Sequence, residues 1–335
     1  MEKLQSVINK ITPDLKKIDE IILQFAVGKS PLIEQISNHL ISSGGKRIRP
    51  IILILAAKLC GSKSNSDYNN LAAAVELIHT ATLLHDDVVD HSMVRRGKKT
   101  SNAIWDNKAS ILVGDYLFST SFQLMVRSDD LRILDLLSKA SSIMADGEVM
   151  QLENSSDLAV SQEKYFEIIF GKTAVLFSAA AEVGALLNKR EESSILALRN
   201  FGKNLGIIFQ IVDDILDYSS KENVLGKDLG NDFFEGKVTL PIILTYQKAE
   251  TKDREFISQV FTKNLLSNEK NQEDFAKILQ LIEKYQGFAE ARNKALFYRD
   301  EALKNLEIFS EKNFSDLKSK EDLITILEYS AARIF

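Results

Sequence analysis

Between a few junctions the chain repeats its apolar residues at intervals of three and four, the period of helices buried along one face, without the alternation of strands. Punctuation is sparse, with prolines only at Pro13, Pro31, Pro50 and Pro241. Ser30-Pro31 reads as an N-cap followed by proline at the first helical position. Pro50 opens a helix that runs through IILILAAKLC and stops at Gly61. Ser66 caps the next helix. Ser101 to Val126 and Leu131 to Glu153 read as two long helices. A further helix runs from about Ser161 to Leu187 and contains Gly171, and another from about Glu192 to Tyr218. The glycine-bearing stretch Ser219 to Thr239 is a loop long enough to suggest function. From Pro241 the chain is more charged and reads as amphipathic helices on the outside of the core. The expectation is an all-α fold, a single large helical bundle around a central cavity with no significant β-sheet. One domain spans residues 1–335, with a core over about 30–248 and C-terminal helices 249–335 packed on it.

One of these helices ends in IHTATLLHDDVVDHSMVRRG. Asp86 and Asp90 are four apart, so on a helix they share a face about 6 Å apart along the axis. With Asp87 they form a carboxylate row able to ligate a divalent cation. Taken alone, an acidic turn on a solvated face explains the row equally well. A second row, in LGIIFQIVDDILDY, repeats the spacing at Asp213, Asp214 and Asp217 after another apolar lead-in. Buried carboxylates need positive partners, and hard oxygen ligands suit Mg²⁺, which also takes oxygens from substrate phosphates.

Composition narrows the classes. Apolar residues make up 45% of the 335, enough for a large core, and a net charge of −5 argues against a nucleic-acid partner. The lone cysteine, Cys60, excludes an internal disulfide and reads as a small packing residue. No run of about 18 apolar residues suggests a membrane span, and the N-terminus lacks a signal-peptide core. The expected location is cytoplasmic.

Basic residues stand at the junctions: Lys46, Arg47 and Arg49 in GGKRIRP, Arg95 and Arg96 in RRGKK, Lys172 in GKT, and Lys227 and Lys237 in the long loop. Each has a plain explanation: Arg95 and Arg96 offset a helix dipole, Lys172 snorkels, and the loop lysines are solvated. Together with two acidic rows they suit a phosphate ester held through metal on one side and by Lys/Arg on the other.

These blocks, in this order, resemble the trans-polyprenyl diphosphate synthases over nearly the whole chain. DDVVD with the following RRG is similar to the family's first aspartate-rich motif, and LGIIFQIVDDILD to its second. GGKRIRP, GKT and GKDLGNDFFEGKVTLP are similar to further blocks. IHTATLLHDDVVD and VGDYLFSTSFQLM are most similar to members that make octaprenyl diphosphate.

The resemblance implies the isoprenoid synthase fold and an ionisation, condensation and elimination reaction. An isopentenyl unit is added to an allylic diphosphate, farnesyl diphosphate being the expected starter, to build an all-trans chain for a quinone side group. It implies that Asp86, Asp87, Asp90, Asp213, Asp214 and Asp217 hold three Mg²⁺ ions. Arg95, Lys172, Gln210, Lys227 and Lys237 would hold the allylic substrate. Lys46, Arg49, His79 and Arg96 would hold isopentenyl diphosphate, while Arg47 receives no contact. Lys172, the Thr173 hydroxyl and the Gln210 oxygen would sit beside the allylic cation. His79, seven residues before Asp86, falls near the same stripe, although a lone buried His is commonly a core residue.

By the same resemblance Ala81 and Thr82 form the floor of a chain-length pocket. Both are small, so a long product is expected, octaprenyl first. The sequence NDFFEGKVTLP departs from relatives, which usually carry an acidic pair, an arginine and a proline there. Arg333 in YSAARIF stands where the family has a basic tail. The family also suggests a homodimer, and an apolar product suggests transient contact with a membrane surface. Three alternatives stay open: a shorter-chain farnesyl or geranylgeranyl synthase, a non-catalytic subunit of a heteromeric synthase, and a terpene cyclase. Two intact acidic rows oppose the second, and a second diphosphate block opposes the third.

Overall fold

The structure, a computed structural model, describes residues 2–26, 30–42, 44–63, 68–95, 97–219, 229–266, 271–310, 314 and 316–333. Arg96, Lys227 and the expected cap Ser66 lie outside the described residues. The fold is all-α. Among the described residues its sheet is one antiparallel pair of two-residue strands, β1 (Val94–Arg95) and β2 (Lys98–Lys99).

Helix α1 (Glu2–Ala26) buries Leu4, Val7, Ile11, Ile18 and Ile21, a stripe at intervals of three and four with one polar member, Asp14. That carboxylate is paired, accepting from Lys58 Nζ at 2.6 Å and Tyr68 OH at 2.8 Å. After α2 (Pro31–Ser42), helix α3 (Ile48–Leu59) is buried on every side from Pro50 to Ala57. An all-round apolar helix must lie at the centre, where each fully buried Ile or Leu contributes about 1.5–3 kcal/mol. Cys60, just past its end, is buried, and that burial pushes its thiol up to about 12, which suits packing rather than reaction.

Helix α4 (Tyr68–Val89) carries the first acidic row and packs along α6 (Asn107–Val126). The stretch 101–126 is not one helix. A short α5 (Ser101–Ile104) ends at Trp105, and the Asp106 side chain accepts from Ala109 N–H at 2.7 Å to start α6 afresh. Helix α7 (Leu131–Glu153) follows as expected. The stretch 162–187 is interrupted as well. Helix α8 (Gln162–Ile169) passes through a π-helical turn at Phe170–Ala174 into α9 (Val175–Leu187).

Helix α10 (Glu192–Asp217) carries the second row and packs along α9 on one side and α15 (Gly287–Leu306) on another. Small buried residues Ala291, Ala295 and Ala302 allow that second contact. Part of the C-terminal third therefore supports the second row directly. The short α11 (Asn231–Phe234) precedes α12 (Leu240–Lys248), α13 (Thr251–Leu266) and α14 (Gln272–Lys284). Helix α16 (Leu317–Ala332) packs on α3, α10 and α1.

Two stretches, Asn107–Val126 and Gln162–Leu187, are long and apolar enough to cross a membrane by length and composition, which the reading of apolar runs missed. The second is nearly all buried among other helices and the first is half-buried.

Candidate active site

The buried first half of α4 runs through the core, and its last turn emerges with the aspartates. Asp86 and Asp90 are partly exposed, whereas Asp87 is only 5% exposed. The β1–β2 hairpin turns the chain back on the helix, so that Arg95 Nε donates to Asp87 Oδ1 at 2.8 Å. The Asn102 amide closes the same turn on the carbonyls of Asp87 and Ser92, both at 3.1 Å.

The second row repeats this division. Asp213 and Asp217 are partly exposed and Asp214 is 3% exposed. Asp214 accepts from Tyr165 OH at 2.7 Å and from Gln210 Nε2 at 2.8 Å, while Gln210 Oε1 accepts from the Thr173 hydroxyl at 2.7 Å. Asp213 Oδ1 accepts from Arg333 Nη1 at 2.9 Å. Asp217 Oδ2 accepts from the Asp232 N–H at 3.0 Å, which ties α11 to the end of α10. The six aspartates are therefore not equivalent, since the middle member of each row is buried against its donors while the outer members stay partly exposed.

Cations join the rows. Lys237 Nζ reaches Glu235 at 2.7 Å, Asp90 at 3.3 Å and Asp232 at 3.8 Å. Burial pulls its ammonium pKa down, but Asp232, Asp90 and Glu235 outweigh burial and hold it above the ordinary lysine value. Lys172, in the π turn, donates to Glu148 Oε2 at 2.9 Å. Asp86 is pushed up to about 7, chiefly by burial, with Glu148 and Asp90 adding to it and Lys172 and Arg95 opposing. Asp214 is also pushed up to about 7 by burial and by Asp232, against the Gln210, Tyr165 and Leu240 N–H hydrogen bonds.

Close backbone approaches set this geometry. A Cβ on Gly147 would stand 2.5 Å from the Lys172 nitrogen, and one on Gly206 would stand 2.5 Å from Ala174 Cα. Only glycine lets α7 and α10 close on the π turn, bringing Glu148 to Lys172 and Gln210 to Thr173.

Lys46 Nζ donates to Tyr329 OH at 3.2 Å and lies 5.2 Å from that ring's centroid. The Arg49 guanidinium lies 4.4 Å from the Phe177 ring centroid. Arg47 instead pairs with Glu76 and with Asp19, at 3.1 Å from the latter. His79 is partly buried, and its carbonyl accepts from the Thr82 hydroxyl at 2.8 Å. Ala81 is 1% exposed and Thr82 is partly buried. A separate shallow cleft between α12 and α13, lined by Tyr246, Arg254 and Ser258, involves none of these residues.

Glu148, Tyr165, Asp232 and Glu235 escaped the sequence reading. Tyr165 is seven residues before Lys172 and is the one hydroxyl in its apolar stripe, a signal that was present but weak. Among the described residues no three carboxylates converge into a ready-made metal cage. The fit is to a hard cation that keeps waters and completes its shell with substrate oxygens. Asp86, Asp90, Asp213 and Asp217 provide partly exposed carboxylates of the required chemistry.

The polyprenyl synthetase family model matches residues 30–282. The octaprenyl diphosphate synthase of Haemophilus influenzae is 36% identical over 96% of this chain and 94% of its own length. A decaprenyl diphosphate synthase from Rhodobacter capsulatus superposes with a TM-score of 0.91 at 39% identity, covering 99% of both chains. A polyprenyl synthase from Caulobacter crescentus, solved with calcium and isoprenyl diphosphate, gives 0.90 at 38% identity, covering 98% of this chain and 97% of that one. With two acidic rows and their cations gathered at one site and likeness over the whole length, the chain belongs to the polyprenyl synthetase family and is a prenyltransferase.

Proposed function

We propose that this enzyme adds isopentenyl diphosphate repeatedly to an allylic diphosphate, with farnesyl diphosphate as starter and all-trans octaprenyl diphosphate, a quinone side-chain precursor, as product. One observation carries the reading. Lys237 ties Asp90 of the first row to the loop that Asp217 of the second row holds, so both rows border one site. The octaprenyl- and decaprenyl-forming relatives and the small residues Ala81 and Thr82 support a long product.

Mg²⁺, three ions in the full complex, would be held by Asp86, Asp90, Asp213 and Asp217. The calcium and isoprenyl diphosphate of the Caulobacter relative support a metal–diphosphate site. The metal supplies charge stabilisation to the departing diphosphate. Asp87 fixes Arg95, and Glu148 holds Lys172, two cations that meet the allylic diphosphate with Lys227 and Lys237. Lys46, Arg49, His79 and Arg96 take isopentenyl diphosphate. Thr173 and the Gln210 oxygen face the carbon from which the diphosphate leaves. We further propose a single domain that acts in the cytoplasm as a homodimer and touches the membrane surface when product leaves. Exposed Leu112 and Val126 on α6 and Val149 and Leu152 on α7 support an apolar contact face.

The test is incubation of the purified chain with farnesyl diphosphate, radiolabelled isopentenyl diphosphate and Mg²⁺, with the products sized by chromatography. Metal-dependent extension to about eight isoprene units is expected. A cyclic hydrocarbon, or no incorporation by the chain alone, refutes the proposal.

A further inference from the structure

We propose that Tyr165 is a positioning residue. With Asp214 it fixes the Gln210 amide so that its oxygen meets the Thr173 hydroxyl, holding both groups toward the reacting carbon. This rests on the proposed function. The argument begins with Asp214, whose oxygens each have a donor, Tyr165 OH at 2.7 Å and Gln210 Nε2 at 2.8 Å. With Asp214 ionised, the form that the Tyr165 hydrogen bond favours, turning the Gln210 amide over would set its oxygen against a carboxylate oxygen, two acceptors in a buried place. The orientation is therefore locked, and Gln210 Oε1 must receive the Thr173 hydroxyl hydrogen at 2.7 Å. The Thr173 lone pairs are thereby turned away from Gln210.

Three elements meet here: α8 through Tyr165, the π turn through Thr173, and α10 through Gln210 and Asp214. Tyr165 is 4% exposed, so water does not replace its hydroxyl. In this assignment Asp214 orients Gln210, and the metal falls to the partly exposed members of its row.

The experiment is steady-state kinetics of Tyr165→Phe, Gln210→Leu and the double variant, each with a Mg²⁺ titration and thermal unfolding. Tyr165→Phe is expected to lower kcat about tenfold, leaving both KM values and the half-saturating Mg²⁺ concentration within about twofold. In the Gln210→Leu background it should cost nothing further. Losses that multiply, or a kcat restored by excess Mg²⁺, overturn the assignment. If Tyr165→Phe does not fold, Asp214→Asn replaces it with the same expectations. A wild-type chain without elongating activity refutes the proposed function instead. The positioning pair is then decided by NMR of the Gln210 side-chain amide, whose protons should be protected in wild type and exchange freely in the variant. Equal exchange in both overturns it.

Discussion

The ammonium of Lys237 lies 3.3 Å from the Asp90 carboxylate, joining a residue beyond the second acidic row to the last aspartate of the first. Asp232 and Glu235 share the same cation. Lys237→Met leaves three carboxylates without it. The metal-free protein should lose about 3 kcal/mol, as expected when one partner leaves a largely buried ion cluster. Urea unfolding in a chelator checks this, and added Mg²⁺ should recover part of the loss. An unchanged midpoint would show that the cluster contributes nothing.

Two carboxyls give the metal-free enzyme a pH signature. Asp86 and Asp214 are both pushed up to about 7, mainly by burial. A carboxyl raised on folding binds more protons in the folded state than in the unfolded one. Its contribution to stability therefore falls as pH rises from the unfolded value, about 4, to the folded one. Asp86→Asn should gain thermal stability relative to wild type as pH goes from 5 to 7.5 and hold that gain above. A difference that stays flat with pH contradicts this assignment. Metal binding near neutrality should release protons, measurable in buffers of different ionisation enthalpy.

Gly206→Ala places a methyl 2.5 Å from Ala174 Cα, where backbone rather than a flexible side chain must move. The cost is about 1–3 kcal/mol. The same displacement draws Gln210 from Thr173, so kcat should fall at full folding. Denaturant midpoints and turnover on one preparation separate the two effects.

Ala81→Tyr fills a position that is already 1% exposed on α4. Product chromatography should show a marked shift to shorter chains with elongation retained. Unchanged product length would remove Ala81 from the pocket.

Much of the site was legible because its chemistry sits at fixed helical spacing. The pairs Asp86/Asp90 and Asp213/Asp217 are the partly exposed members of their rows, as one face of a helix requires. The inward turn of Asp87 and Asp214 was not legible, because it depends on donors from other elements: Arg95 through the hairpin and Tyr165 through α8. Glu148 was hidden for a related reason, since what brings it to Lys172 is a glycine contact between α7 and the π turn that follows α8. The break at Trp105–Asp106 was readable in principle as an Asp cap before a new helix. The support of α10 by α15 was obscured by the charge of the C-terminal third, whose small buried alanines are easily passed over.

The π turn at Phe170–Ala174 bears on how this segment tolerates change in length. Removing one residue there would let ordinary helix run straight through, which favours the backbone locally. It would also swivel Val175–Leu187 by about 100° about its axis. Gly184 would then lose its seat against Ala56, and apolar residues buried on α9 would face the wrong neighbours. The segment should accept side-chain exchange far better than the loss of a single residue.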